Sequence, residues 1–324
     1  MNKVSCSVCE QRCALSPGET GICGIRKNID GIIKNPDYGK LISVSTDPIE
    51  KKPLYHFFPG EKTLSIASAG CNFSCKFCQN YQISQKEFHK NLSFEKIFPE
   101  NISRILEYKN LNILTFTYSE PTVWIDYLLD CAKISKRKNK KNAMVTNGYF
   151  TEETMEKLLP LIDAYNIDYK GEESFYSKLC GAHEHPVIRN ISRINRESKA
   201  VLEVTTLVIE KYHSIEKLLS MAEKLFEAGV KVWHLSRFFP AYKMTDCLPT
   251  SEKFIKQAVE KISEKFPIPY IYAGNCAPSF SSDTNCSSCK ETLIERNGFY
   301  SHAKNLKKGI CPSCSGKIYG QFKN

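Results

Sequence analysis

From residue 62 to residue 273 the sequence alternates short apolar runs with longer amphipathic stretches, and this repeat limits the fold more than any other feature of the chain. The predicted strands are residues 63–69, 113–119, 143–147, 164–169, 201–209, 230–235 and 270–273. The predicted helices are residues 94–108, 123–137, 152–159, 187–198, 215–228 and 251–266. Repeated strand–helix units are typical of an α/β fold in which helices cover a parallel sheet. About six such units favour an open, partial (β/α)6 TIM-like barrel over a closed barrel of eight units.

A short cysteine-rich loop follows the first predicted strand. Cys71, Cys75 and Cys78 have the spacing Cys-x3-Cys-x2-Cys, and Gly70 lets the backbone turn sharply just before them. Thiolates ligate iron–sulfur clusters, so three cysteines can hold three corners of a [4Fe–4S] cluster and leave the fourth iron open to a small molecule. Phe77 offers a flat ring for packing against a bound nucleobase. A zinc knuckle is the alternative, but a structural zinc ion takes four protein ligands and this loop supplies three.

A second set of cysteines lies near the start of the chain. Its members are Cys6, Cys9, Cys13 and Cys23, with the spacing Cys-x2-Cys-x3-Cys-x9-Cys. Four thiolates this close in sequence can close a tetrahedral metal site without a large hydrophobic core. The spacing alone does not distinguish a structural zinc ion from a second iron–sulfur cluster, and both interpretations stay open. Short alternating runs between residues 24 and 60 predict hairpin strands beside this site.

A third set of cysteines lies near the end of the chain. Its members are Cys286, Cys289, Cys311 and Cys314, which form two Cys-x2-Cys knuckles separated by 21 residues. This arrangement predicts a structural zinc site in a zinc-ribbon-like module, with an auxiliary cluster as the alternative. The sequence thus divides into a Cys-rich N-terminal metal-binding and hairpin module (1–61), the partial barrel (62–280) and the C-terminal zinc-ribbon-like module (281–324).

Composition predicts a cytoplasmic protein without a membrane-spanning segment. The 324 residues include 15 cysteines, but no apolar run long enough to span a bilayer and no apolar signal-peptide core after Met1. In a reducing cytoplasm such cysteines serve as metal and cluster ligands rather than as disulfides. The net charge is +10, yet the lysines and arginines are scattered, apart from a run at residues 133–141 that ends a predicted helix. A nucleic-acid partner is therefore not expected.

Several polar residues stand at the carboxyl ends of the predicted strands, where the active groups of barrel enzymes lie. They are Glu120, Asn147, Asp168, Lys170 and Ser236. Each also has a structural explanation. Glu120 is suited to a helix N-terminus, Asn147 precedes a glycine as turn residues do, and Asp168 with Lys170 can form an ion pair. Ser236 lies at a predicted pocket rim, where it would meet a ribose or a carboxylate, or else in a packed loop.

The cysteine loop resembles the signature of the radical S-adenosylmethionine (SAM) enzymes, Cys-x3-Cys-x-aromatic-Cys, with Phe77 as the aromatic residue. The resemblance implies that SAM chelates the open iron through its amino and carboxylate groups. It further implies that an electron from the cluster splits SAM into methionine and a 5′-deoxyadenosyl radical. Glu120 stands in the place of a Gly-Gly-Glu-like motif that holds the SAM amino group. Asn147, Asp168 and Lys170 lie where related enzymes contact SAM.

Further segments are similar to one branch of these enzymes. Residues 47–56, 119–122 and 236–246 resemble the radical SAM member of the AmmeMemoRadiSam system, which is related to pyruvate formate-lyase activating enzymes. That resemblance implies Memo-like and AMME-type protein partners and an electron donor such as flavodoxin or ferredoxin. Val145 stands where activating enzymes often carry an acidic residue.

Together these features predict a cytoplasmic, oxygen-sensitive radical SAM enzyme, an oxidoreductase that abstracts hydrogen from an unidentified substrate. The implied cofactors are a [4Fe–4S] cluster and SAM, together with zinc. Two alternatives stay open. The first is an activase that generates a glycyl radical in a protein partner. The second is a non-enzymatic metal-binding module that recognises RNA or another protein.

Overall fold

The strands fall into three groups along the chain. A computed structural model of the chain describes residues 3–277, 282–304, 306 and 308–323, so the predicted boundary between residues 280 and 281 lies outside the described residues. The first group is β1 (Val4–Ser5), β2 (Ala14–Leu15), β3 (Lys27–Ile29), β4 (Ile32–Lys34) and β5 (Lys40–Leu41). The second is β6 (Ser43–Pro48), β7 (Lys62–Ala67), β8 (Glu95–Lys96), β9 (Ile113–Phe116), β10 (Lys141–Thr146), β11 (Ala164–Asp168), β12 (Val201–Val208), β13 (Val232–Arg237) and β14 (Tyr270–Gly274). The third is β15 (Thr284–Asn285), β16 (Thr292–Asn297) and β17 (Tyr300–Ala303).

An eight-stranded sheet forms the centre of the protein, in the order β14-β13-β12-β11-β10-β9-β7-β6. Neighbouring strands from β7 to β14 pair in parallel. All seven strands predicted from the apolar repeat lie in this parallel part, which confirms the α/β prediction. β6 adds an antiparallel strand at the edge, where Ser43 pairs with Ala67. A hairpin of β3 and β4 is present as expected between residues 24 and 60, whereas β6 belongs to the main sheet.

The helices lie between the parallel strands. They are α1 (Tyr81–Ser84), α2 (Pro99–Tyr108), α3 (Ile125–Arg137), α4 (Glu152–Leu158), α5 (Glu173–Phe175), α6 (His185–Glu197), α7 (Ile215–Glu227) and α8 (Glu252–Lys265). Three of them, α4, α7 and α8, are preceded by Thr151, Ser214 and Ser251 respectively. The hydroxyl of each of these residues accepts a hydrogen bond from a backbone N–H in the first turn of its helix. The six longer helices match the predicted stretches. The short α1 and α5, the 3-10 turns at Ile49–Lys51, Lys86–Asn91 and Pro121–Trp124, and the π turn at Tyr176–Cys180 were not predicted.

The two faces of the sheet have different partners. Side chains alternate between the faces, and Asn142 bonds the carbonyl oxygen of Ala132 in α3 at 3.0 Å, so the helices cover its face. On the opposite face Ala143, Ala164 and Val201 pack with Ile49, Leu54, Phe57 and Ile113 in a separate apolar cluster. The loop after β6 therefore closes the amino-terminal end of this inner face. Further along the strands, the inner face becomes polar.

Glu203 is the buried anion of this polar layer. Its carboxylate accepts hydrogen bonds from the backbone N–H of Tyr55 (3.0 Å) and His56 (2.7 Å) and lies 2.7 Å from Nε2 of His234. Burial opposes its charged form, but the hydrogen bond and charge of His234 hold the pKa of Glu203 below its ordinary value. Burial also lowers the pKa of His56 to about 4. The bonds of Glu203 therefore tie the loop at residues 55–56 to β12 and β13.

The C-terminal segment joins the same layer. The hydroxyl of Tyr272 bridges His56 (2.8 Å) and Thr284 (2.7 Å), and Arg296 donates to the carbonyl oxygen of Tyr55 at 2.9 Å. Backbone bonds between residues 56–58 and Gln321 complete the contact. Among the described residues, no helix is long and apolar enough to cross a membrane.

Replacement of Glu203 by alanine should destabilise the fold strongly, because the donors of Tyr55, His56 and His234 stay buried without their acceptor. Removing one partner of a buried charged pair costs about 3–5 kcal/mol, and we expect a loss of that size in the free energy of unfolding, measured by denaturant titration. Glu223→Ala, on the exposed side of α7, is the control and should change stability by less than about 0.5 kcal/mol. Equal stabilities of the two variants would contradict the proposed role of Glu203.

Candidate functional site

A cavity of about 410 Å³ opens at the carboxyl ends of β7, β9, β10 and β11. All three cysteines of the loop after β7 line it, together with residues that follow the neighbouring strands. The predicted site residues on its wall are Cys71, Cys75, Phe77, Cys78, Glu120, Asn147, Asp168 and Lys170. The structure thus brings eight of the predicted residues into one cavity. Ser236 is the exception among the described site residues of the barrel.

The cysteine loop leaves β7 through a backbone conformation that requires glycine. Gly70 has φ +97°, and a Cβ atom at this position would meet the side chain of Ile25 and lie 2.8 Å from the carbonyl oxygen of Cys23. After this turn, the backbone N–H of Phe73 donates to Sγ of Cys71 at 3.4 Å. The Sγ atom of Cys78 lies 3.2 Å from the hydroxyl of Ser84. Such hydrogen bonds are typical of thiolate ligands.

The three thiols of the loop suit a cluster better than a single ion. Cys75 is buried, Cys71 and Cys78 are half-buried, and burial is the main reason that the pKa of Cys71 lies well above its usual range when nothing is bound. Among the described residues, these three sulfurs do not form a set whose ligand atoms all lie within 4.8 Å of one another. Sulfurs around one zinc ion lie about 3.8 Å apart, since each Zn–S bond is about 2.3 Å. The sulfurs of the loop are spaced more widely than those around one zinc ion, and this wider spacing fits three corners of a [4Fe–4S] cluster.

Glu120 lines the cavity and is buried from bulk solvent. It caps the turn at Pro121–Trp124 by accepting from the N–H of Thr122 at 3.0 Å, as its helix-start interpretation predicts. The same carboxylate accepts from the hydroxyl of Thr146 (2.7 Å) and the N–H of Asn147 (2.8 Å). Burial raises the pKa of Glu120 despite these bonds. A positive group in the cavity would therefore stabilise its ionised form.

Asn147 connects Glu120 to the cysteine loop. Its side-chain amide donates to Oδ1 of Asn72 at 2.7 Å and lies 3.8 Å from Sγ of Cys71. Its own Oδ1 accepts from the N–H of Tyr149 at 3.0 Å, which is the turn geometry expected before a glycine. One residue therefore serves the turn and also contacts the loop.

Asp168 and Lys170 form the expected ion pair, with Nζ of Lys170 2.7 Å from a carboxylate oxygen of Asp168. Burial works against the charged ammonium group, but Asp168 and the thiols of Cys75 and Cys180 raise the pKa of Lys170 well above its usual value. The hydroxyl of Tyr176 accepts from the backbone N–H of Lys170 at 3.0 Å. Lys170 therefore brings a positive charge to the cavity wall beside the cysteine loop.

The two remaining predictions of this group have different outcomes. Phe77 lines the cavity, and its ring packs against that of Phe175 at a centroid distance of 5.4 Å. Ser236 pairs in register with Leu207, which lines the cavity, but Ser236 itself is not among the described lining residues. The neighbouring Arg237 bonds the carbonyl oxygen of Thr250 at 2.8 Å, so the end of β13 packs against the segment that precedes α8.

Other cavity residues were not identified from the sequence. Lys52 is buried, with Nζ 2.9 Å from Asp47 and 4.0 Å above the ring of Tyr118. Although burial opposes its charge, bonds from Lys51, Tyr118 and Lys52 hold the pKa of Asp47 well below its ordinary value. Tyr118 has φ +69°, and its hydroxyl donates to Asp47 at 2.6 Å. A left-handed tyrosine has no sequence signal, and only the segment at residues 47–56 marked this region.

The two terminal cysteine sets differ in the spacing of their sulfurs. In the C-terminal set all four Sγ atoms lie within 4.8 Å of one another, and two pairs, Cys286 with Cys314 and Cys289 with Cys311, are 3.6 Å apart. A backbone N–H from Cys289 is the main cause that lowers the pKa of Cys286 to about 6. The N-terminal cysteines, Cys6, Cys9, Cys13 and Cys23, line one small cavity of their own.

Comparison with known proteins identifies a family and several relatives. The model described as the Radical SAM superfamily matches residues 65–247. The chain is 37% identical over 322 residues to the uncharacterized protein MJ0808 of Methanocaldococcus jannaschii, covering 98% of this chain and 95% of that protein. It is 26% identical over 166 residues to MJ1632 of the same organism, provisionally named a glycyl-radical enzyme activating enzyme, covering 50% of this chain and 62% of that protein.

Solved structures with a similar fold include SuiB of Streptococcus suis. SuiB bound to its precursor peptide SuiA matches with a TM-score of 0.54 at 14% identity, covering 72% of this chain and 54% of SuiB. SuiB bound to SAM matches with a TM-score of 0.51 at 15% identity, covering 71% of this chain and 54% of SuiB. The chain spans about half the length of SuiB. At this level of identity the likeness shows a shared fold.

The buried His213 should make the protein sensitive to acid. Its Nδ1 accepts from the N–H of Ile209 at 2.9 Å and its Nε2 lies 3.0 Å from the carbonyl oxygen of Lys170, so the neutral ring fits both partners. Burial lowers the pKa of His213 from 6.5 to about 4. The unfolded chain therefore binds a proton between pH 6.5 and pH 4 that the folded chain does not bind, and the protein loses stability as the pH is lowered through this window.

We expect the stability difference between the wild type and His213→Gln to fall by about 3 kcal/mol from pH 7 to pH 4, because one pKa unit corresponds to about 1.4 kcal/mol. Denaturant unfolding at a series of pH values measures this difference. His302→Gln, at an exposed histidine, is the control and should leave the pH dependence as it is. Parallel pH profiles for the wild type and His213→Gln would contradict the prediction.

Proposed function

Because the chain belongs to the radical SAM superfamily, we propose that Cys71, Cys75 and Cys78 hold a [4Fe–4S] cluster with which the protein cleaves SAM reductively. When bound, the cluster supplies the electron that splits SAM into methionine and a 5′-deoxyadenosyl radical, which abstracts hydrogen from the substrate. The observation that carries this proposal is that the three thiols line the same cavity as Glu120 and Lys170. A ligand with both a positive and a negative group matches these two opposite charges.

The chain's own residues divide the binding of SAM among them. Glu120 takes the positive amino group, since a carboxylate oxygen has two lone pairs and Oε2 uses one on Asn147 N–H. Lys170 takes the SAM carboxylate as a point charge, with Asp168 holding its ammonium group in place. The ring of Phe77 lies on the cavity wall for the adenine base. Glu120 and Phe77 are buried, so these two walls of the cavity would keep water away from the reaction.

The substrate belongs to one of two classes. The distant similarity to activating enzymes such as MJ1632 supports an activase that acts on a glycine of a protein partner. The alternative is a small molecule or peptide that is modified directly inside the cavity. Turnover without a second protein favours the direct reaction, whereas a stable complex with a glycyl-radical partner favours the activase.

The finer classification is also part of the proposal. The segments at residues 47–56, 119–122 and 236–246 support membership of the AmmeMemoRadiSam branch, with Memo-like and AMME-type partners and a flavodoxin or ferredoxin as donor. The sheet of β6, β7 and β9–β14 supports an open partial barrel. We retain the division into modules at residues 1–61, 62–280 and 281–324, with β6 as the strand that extends the first module into the sheet.

The C-terminal cysteines are proposed to hold zinc. Their paired Sγ atoms are 3.6 Å apart, close to the distance of about 3.8 Å expected around a tetrahedral zinc ion. Gly316 lets the backbone pass near Sγ of Cys314, since a Cβ atom there would lie 3.2 Å from the sulfur. Such a closed four-cysteine site contributes to folding rather than to catalysis.

The wild-type protein should release 5′-deoxyadenosine and methionine when it is reconstituted anaerobically with iron and sulfide and given dithionite and SAM. Cys71→Ala, Cys75→Ala and Cys78→Ala should each reduce the product to background, because each removes a cluster ligand. Cys131→Ala is the matched control, since this buried thiol lies in α3 and does not line the cavity. Chromatography of the nucleoside product makes the measurement.

The proposal fails if Cys71→Ala still forms 5′-deoxyadenosine at the wild-type rate, or if wild-type protein with an assembled cluster forms none. Lys170→Met tests the carboxylate site separately. It should raise the KM for SAM more than it lowers kcat, since the lost charge acts in binding. An unchanged KM would remove Lys170 from the SAM site while leaving the cluster proposal in place.

Cys289→Ser should lower the zinc content from about one ion per chain to near zero, because one missing thiolate opens the tetrahedral site. Iron bound at the other sites should stay unchanged. Ser313→Ala, in the same exposed knuckle, should keep its zinc. Metal analysis of the purified proteins measures both metals, and iron with sulfide in place of zinc at this site would overturn the assignment.

A further inference from the structure

The N-terminal cysteine module packs directly behind the loop that carries Cys71. A Cβ atom on Gly70 would meet Ile25 and the carbonyl oxygen of Cys23, so the two backbones touch at this point. From the other side of the module, Nε2 of Gln11 donates to the carbonyl oxygen of Asn72 at 2.9 Å. The segments that carry the two cysteine sites are therefore in direct contact.

Asn72 stands between the sulfurs of the two sites. It is fully buried, and the thiol of Cys9 is one of its neighbours on one side. On the other side its Oδ1 lies 3.8 Å from Sγ of Cys71 and accepts from Asn147 at 2.7 Å. A single asparagine side chain thus bridges a cysteine of the N-terminal set and a cysteine of the cavity.

The spacing of the N-terminal sulfurs differs from that of a zinc site. Among the residues that the structure describes, the four C-terminal cysteines are the one group of at least three His, Cys, Asp or Glu side chains whose ligand atoms all lie within 4.8 Å of one another. No three sulfurs of Cys6, Cys9, Cys13 and Cys23, all of which are described, meet that limit. A cluster holds its cysteine sulfurs further apart than one ion does, because each sulfur binds a different iron.

The surroundings of the four thiols also suit a cluster. The thiols converge on one cavity, where the backbone N–H of Arg26 donates to Sγ of Cys23 at 3.4 Å. A Cβ atom on Gly21 would lie 3.6 Å from Sγ of Cys13 and 3.8 Å from Sγ of Cys23, so this glycine keeps the backbone close to both sulfurs. Hydrogen bonds to sulfur and an apolar lining set the potential of an iron–sulfur cluster. Ile22, 46% exposed, marks where the module meets solvent.

We propose that Cys6, Cys9, Cys13 and Cys23 hold a second [4Fe–4S] cluster, which exchanges electrons with the site of Cys71, Cys75 and Cys78. This electron transfer, called the relay below, rests on the proposed function, whereas the presence of the second cluster does not. A reduced flavodoxin or ferredoxin, or dithionite in the test tube, gives one electron and is oxidised by one electron. The N-terminal cluster goes from the 2+ to the 1+ state and returns to 2+ when that electron moves on. No proton or bond changes accompany the transfer.

The test is a count of metals followed by electron paramagnetic resonance. Wild-type protein reconstituted anaerobically should hold about eight iron ions and eight sulfides, together with about one zinc ion. The triple variant C71A/C75A/C78A should keep about four iron ions in a reducible cluster. The double variant C9S/C23S should lose that second cluster and keep the other. After reduction, the wild-type spectrum should be broader than the sum of the two variant spectra, because two nearby spins interact.

Each outcome decides one proposal separately. If the triple variant holds no iron and the wild type holds about four iron and two zinc ions, the N-terminal site binds zinc. This result would overturn the inference and leave the proposed function intact. A triple variant with as much iron as the wild type would instead remove the cluster from Cys71, Cys75 and Cys78. A wild-type spectrum equal to the sum of the variants would overturn the relay. Circular dichroism and the zinc content show whether each variant is folded.

Discussion

No side chain fits at residue 70, and the relation between the two cysteine sites follows from that restriction. Gly70 turns the chain out of β7 with a positive φ while the backbone of Cys23 approaches from behind. A larger residue would push the two segments apart and move the whole loop that begins with Cys71. The tight approach therefore fixes the distance between the sulfurs of the cavity and the N-terminal module. The bonds of Asn72 and Gln11 hold the same distance from the sides.

The second requirement of the site is a sheet that tolerates charge on its inner face. Ala143 and Ala164 near the amino ends are small and apolar, whereas Asn166 and Glu203 one step further are polar and buried. Both side chains have hydrogen-bond partners: Glu203 bonds Tyr55, His56 and His234, and the side-chain amide of Asn166 donates to the carbonyl oxygen of Pro53 at 2.7 Å. This gradient prepares the carboxyl ends of the strands for Asp168 and Lys170, because a charged pair is less costly beside other satisfied polar groups than in an apolar core.

The parts of the structure that follow from local pattern were predictable. The parallel strands and long helices appear where apolar periodicity placed them, and the three cysteine sets were visible from their spacing. The sequence placed Ser236 at a strand end, as the structure has it, but its distance across the sheet from the cysteine loop is not encoded in any local pattern. Lys52 and Tyr118 were missed for the same reason, since their contacts connect residues far apart in sequence. Short helices such as α5 carry too few apolar positions to show a period.

The contact between residues 56–58 and Gln321 has a consequence for biosynthesis. A ribosome makes Tyr55 and His56 early, but the segment that completes their hydrogen bonds emerges only after residue 321 has been added. From the synthesis of Glu203 until residue 321 has been added, the loop that covers the polar layer therefore lacks its last partner. Final closure of the inner face is expected to be a late event on the nascent chain. The N-terminal cysteines, in contrast, emerge long before this last contact can form.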